Sequence, residues 1–187
     1  WHLFVEDERF RGLAVQEPLR PQTFYRLKGY LRRLITAVQA GEVASTFISV
    51  RELMEWVDTV DEEIAGVRDS FLLYPPEGLP EDQWMAHAIN VAVLSALTLR
   101  RIGGTLQARQ LIAAAFLQDL GLWRLSAGQR EAFWERRDPE AVSEKVRQSQ
   151  RIVAPLRSLS SIVKGIVAQH HERLDGSGVP EGRRGDD

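Results

Sequence analysis

Apolar residues recur at three- and four-residue intervals along most of this chain, the period of a helix that packs on one face. Phe24, Leu27, Leu31, Leu34, Ile35 and Val38 share such a face, and Gly41 is a natural stop, so the pattern predicts a first helix from Phe24. Val50, Leu53, Val57, Val60, Ile64, Val67 and Phe71 keep the period and predict a second helix from about Thr46 to Leu73. Pro75-Pro76 and Gly78 break it. Pro80-Glu81-Asp82 suits a helix start, with Pro in the first turn and acids facing the dipole, and Gly103-Gly104 would end that third helix after Ile102. Thr105 reads as the N-cap of the next, whose Leu106, Leu111, Ile112, Ala115 and Phe116 lead to Asp119. Ser126 with Gln129 fits a capping box for a short helix through Trp134, and Asp138-Pro139 fits an N-cap and first position. A last helix is predicted over Ser160 to His171, followed by a loop through Asp175-Gly176-Ser177-Gly178-Val179-Pro180.

After residue 23 no segment alternates convincingly as a strand, and there is no internal repeat or low-complexity stretch. The expected fold is all-α, a multi-helix bundle whose apolar faces bury one another. Residues 1–23 lack a period and are read as an extension or linker ahead of a helical domain over 24–187. Leu3-Phe4-Val5 and Leu13-Ala14-Val15 suit short strands or packing arms. Trp1, Leu3 and Phe4 suit a partner contact or a disordered terminus equally well.

Composition narrows the function classes more than the fold. The 187 residues suit one domain with a sizeable core, and 44% hydrophobic with 27% charged residues is the balance of a globular chain. A net charge of −2 gives no bulk attraction to DNA or to an anionic membrane, and no apolar run is long enough to span a bilayer. Absence of Cys excludes disulfides, thiolate catalysis and Cys-ligated metal sites. A reducing cytoplasm is compatible with that and is the expected location. The only lysines are Lys28, Lys145 and Lys164; the other cations are Arg.

Candidate chemistry rests on few residues. Of the four His, His2 lies in the unplaced N-terminal segment, His87 lies among alanines on the third helix, and His170-His171-Glu172 closes the last helix. Asp119 follows the apolar run Leu111 to Leu117, and a carboxylate ending a buried helix needs a partner. Imidazoles and a carboxylate from different helices can converge on a metal inside a bundle. Each also has an ordinary reading: a core His bonded to a carbonyl, a His pair favoured by a helix C-terminus, an acid capping a neighbour.

Three segments together carry a resemblance. His87-Ala88-Ile89-Asn90-Val91-Ala92 resembles the first His motif of HD-GYP domains, and Ala113 to Gly121 resembles the segment that carries their His-Asp pair. His170-His171-Glu172-Arg173-Leu174-Asp175-Gly176-Ser177-Gly178-Val179-Pro180 closely resembles the family's HHE…DGSGYP segment. Order and rough spacing agree over residues 24–187. The resemblance implies a helical bundle holding two or three metal ions, often iron or manganese, that hydrolyses the bacterial messenger cyclic di-GMP. In such a site the metals polarise phosphate oxygens and activate the attacking hydroxide. It carries metal-ligand roles onto His87, Asp119, His170 and His171, with Asp119 the catalytic residue if the chain is active.

The chain departs from the pattern at several positions. Gln118 stands where the His of the His-Asp pair belongs, and Leu122 stands where a phosphate-binding Lys follows Gly. The intervening stretch has no His, and Gln148 is the nearest match for that ligand; Gln83 replaces a Glu of three-metal members, and Val179 replaces the Tyr of GYP. A further family Asp ligand is expected beyond Asp187. An amide oxygen is a poorer ligand than imidazole, and losing even outer partners costs a metal site dearly. The expectation is a degenerate, non-catalytic HD-GYP-like module that regulates or docks proteins in bacterial cyclic di-GMP signalling, with no metal or a weakly bound divalent ion. Cyclic di-GMP, a signalling protein and a second copy of the chain are the expected partners; DNA is not. The alternative is an active metal-dependent phosphodiesterase with a rearranged site.

Overall fold

The computed structural model describes residues 17–67, 73–75, 78–103, 105–136 and 138–185, leaving aside the side chains of 105–107 and 134–136. Among the described residues eight α-helices make up the architecture: α1 (Pro21–Gln39), α2 (Ala44–Phe47), α3 (Val50–Ile64), α4 (Pro80–Arg101), α5 (Thr105–Leu117), α6 (Ala127–Arg136), α7 (Pro139–Val153) and α8 (Ser161–Gln169). A 3-10 turn, Leu120–Arg124, joins α5 to α6. Among the described residues there is no strand, only an isolated antiparallel bridge between Asp175 and Arg184. The expected all-α bundle is what the chain forms. His2 and the other N-terminal residues read as strands, arms or contacts lie outside the described residues.

Helix α5 is the axis of the bundle. Its Ala108, Ile112, Ala113, Ala114, Ala115, Phe116 and Leu117 are all buried, as suits a helix whose C-terminal half is apolar on every side. It packs along α4 and also meets α3 and α8. Small alanines let the neighbouring backbones approach closely, and the chain leaves this crowded centre at Gln118-Asp119. Asp119 is thereby carried to a point that side chains from α4, α7 and the end of α8 all reach.

Most helix limits follow the sequence pattern. The Ser126/Gln129 box forms reciprocally, the Asp138 carboxylate caps α7 by accepting from Glu140 N–H at 3.0 Å, and Ser160 caps α8. One expected helix divides. The stretch predicted from Thr46 starts at Val50, because Ser49 turns extended and its hydroxyl accepts the Glu52 N–H, while 44–47 form a separate turn. Helical order in that stretch ends at Ile64, and most of the predicted continuation to Leu73, residues 68–72, lies outside the described residues.

Packing of the 3-10 turn against α7 is tight. Gly121 lies so close to α7 that a Cβ there would collide with the Lys145 carbonyl oxygen and the Ser149 nitrogen. Its N–H donates to the Ser149 hydroxyl at 2.9 Å, and Ser149 is fully buried. This approach sets how α7 faces Asp119.

Candidate functional site

Asp119, His170 and His171 meet, with one donor atom from each lying within 4.8 Å of the others. They form the single such cluster found among the described residues. The elements explain the meeting. Asp119 leaves the buried end of α5, and His170 and His171 end α8, which packs on α5 and α7. His87 approaches from α4: its Nε2 is 3.7 Å from the second Asp119 oxygen, but its side chain is 56% exposed. The four residues expected to act together are therefore neighbours, three in the cluster and the exposed His87 beside it.

The point on which they converge is filled by the Lys145 ammonium. Lys145 reaches in from α7, is only 1% exposed, and donates to the Asp119 carboxylate. Its nitrogen is 2.6 Å from His171 Nε2 and 3.3 Å from His170 Nε2. The Phe133 ring lies 5.1 Å away and closes the remaining side. Lysine has three N–H bonds to give and no acceptor, so a carboxylate oxygen and two imidazole nitrogens satisfy it completely.

The imidazole tautomers follow from these contacts. His170 Nδ1 is 3.0 Å from the Val167 carbonyl oxygen, which fixes the proton on Nδ1 and leaves Nε2 facing the cluster. His171 must also offer an unprotonated Nε2 to receive the ammonium. Burial, reinforced by the Lys145 charge, pushes the His171 imidazole down to about 4, so it is neutral at ordinary pH. Burial pushes the Asp119 carboxyl up. The Lys145 charge beside it outweighs burial and holds it well below the usual carboxylate range.

Positions expected to have lost function are placed as follows. Gln118 and Leu122 are buried beside Asp119 in sequence. Gln148 does not stand in for a missing ligand: its amide donates to Glu144 on its own helix at 2.7 Å. The α7 residue that reaches the cluster is Lys145, almost one turn earlier, and it is a cation instead of a ligand. Gln83 donates to the Gly78 carbonyl at 3.0 Å.

The segment after α8 folds back on itself and holds the backbone at His171 and Glu172. The Val179 N–H donates to the His171 carbonyl at 3.2 Å, and the Glu172 carboxylate accepts the N–H groups of Glu181 and Arg183 at 2.8 and 2.9 Å. Gly178 packs against the Glu172–Arg173 backbone so closely that any Cβ would collide. Val179 is half-buried, while Leu174 is exposed.

A divalent ion does not fit the cluster as it stands. The donor set suits one first-row ion, but the place for it holds a positive charge, and Asp119 is the one carboxylate in the cluster. No protein-family model, no curated protein and no solved structure matches this chain.

Proposed function

We propose that this chain is a non-catalytic module of HD-GYP type, a regulatory or docking domain in cyclic di-GMP signalling. The observation that carries the reading is the Lys145 ammonium seated among Asp119, His170 and His171, where metal-dependent hydrolysis would need an ion and its bound hydroxide. Gln118 and Leu122 support it, since neither an amide nor an aliphatic side chain supplies what an imidazole and an ammonium would give a bound phosphodiester. The loop after His171 keeps its glycines, and its exposed Leu174 suits the docking role.

The test is turnover of cyclic di-GMP and of a generic phosphodiester with added Mn²⁺ or Fe²⁺, alongside calorimetric titration of the messenger without metal. The reading expects no turnover under any of these conditions. Multiple turnover with either ion would replace it by the alternative, a phosphodiesterase with a rearranged site.

A further inference from the structure

We infer that Lys145 is the resident cation of this cluster, a side chain standing where a first-row divalent ion would sit, and that it alone keeps such an ion out. The inference goes beyond the signalling role and stands on the cluster's own geometry. Asp119 is buried, and a buried carboxylate requires a positive partner. Two imidazoles present Nε2 lone pairs to the same point, one of them oriented by the Val167 carbonyl in the manner of a metal-bound His. One carboxylate and two imidazoles would hold Zn²⁺ or Co²⁺ and leave a position open. The same three acceptors match the three N–H bonds of an ammonium.

Nothing else need be rebuilt to exchange one cation for the other. The Gly121–Ser149 contact fixes the α7 backbone at the height from which Lys145 spans to the acid. Ammonium and divalent ion are mutually exclusive, because the second would enter beside an unshared positive charge.

Lys145→Ala vacates the position without adding a ligand. Unsubstituted and variant chains are titrated with Co²⁺, followed by its visible absorption, and with Zn²⁺, followed by melting temperature. The variant should bind Co²⁺ roughly 10²–10³-fold more tightly than the unsubstituted chain, the factor that corresponds to not having to break a buried ion pair. Its melting temperature should climb with the logarithm of Zn²⁺ concentration while that of the unsubstituted chain stays flat. Lys145→Ala/His171→Ala should lose the response. Equal affinity in the two chains, or tight binding by the unsubstituted one, overturns the inference and leaves the signalling role untouched, which is judged by turnover.

A second measurement needs no variant to fold. With three lysines in the chain, ¹⁵N-lysine NMR resolves each ammonium. One of them should exchange slowly with water and show contacts to the His171 ring. Three ammonium groups exchanging alike would also overturn the inference.

Discussion

At the residue scale, the Lys145 nitrogen shows how a buried charge is made tolerable: each of its hydrogens has an acceptor and none faces water. Breaking such a pair strands the other charge. Lys145→Met should therefore lower stability by about 3–5 kcal/mol in urea unfolding, and Lys145→Met/Asp119→Leu should recover most of that loss. The His171 imidazole takes up its proton at about 4 when folded and near the ordinary imidazole value of 6.5 when unfolded. The unfolded chain therefore binds more protons between those values, and stability falls as pH drops from about 6.5 to about 4. Urea midpoints at several pH values read this directly, and His171→Asn should flatten the profile over that window. Gly121→Ala would drive a methyl into the α7 backbone and should cost about 1–3 kcal/mol or more. Asp119 and the two His were legible in the sequence because they stand out against apolar or Gly-rich surroundings. Lys145 was not, because Ser-Glu-Lys-Val-Arg-Gln reads as a solvated helix face. The missed signal was spacing: Lys145 falls on one stripe with Ala141, Ser149 and Ile152, all of them buried.

At the element scale, α1 shows that a helix start can be capped from another helix. Its N-cap residue, Arg20, makes no side-chain cap of its own. Glu63 of α3 supplies the carboxylate instead, accepting the Arg20 N–H at 2.8 Å and the Thr23 hydroxyl at 2.7 Å. Glu63→Ala should cost about 1 kcal/mol by denaturant titration, in the range of a lost N-cap, with Glu63→Gln closer to the native chain. No sequence rule for caps reaches 43 residues away, so this joint was invisible to local reading. The 3-10 turn was invisible for a different reason: a five-residue segment, Leu120–Arg124, is too short to show a period. Longer elements were legible because amphipathic spacing, prolines at helix starts and Ser or Asp caps agreed with one another. The exception, the break at Ser49, came where a continuous apolar period ran across a good N-cap.

At the scale of the whole molecule, a helical core brings one acid and two imidazoles together and seats a lysine among them. The bundle could be read from its 3.6-residue period. Among the described residues no helix is long and apolar enough to cross a membrane. The meeting of α5, α7 and α8 depends on close approaches such as Gly121 against α7, which only the folded chain reveals. Because the cluster's cation is covalently part of the chain, it cannot be diluted away or taken by a competitor. EDTA should leave the melting curve unchanged, whereas a metal-built bundle would soften under chelation. On the inference that Lys145 is the resident cation, the cluster assembles by a unimolecular route, as one more step of folding, and its integrity does not depend on the metal supply of the cell that makes it.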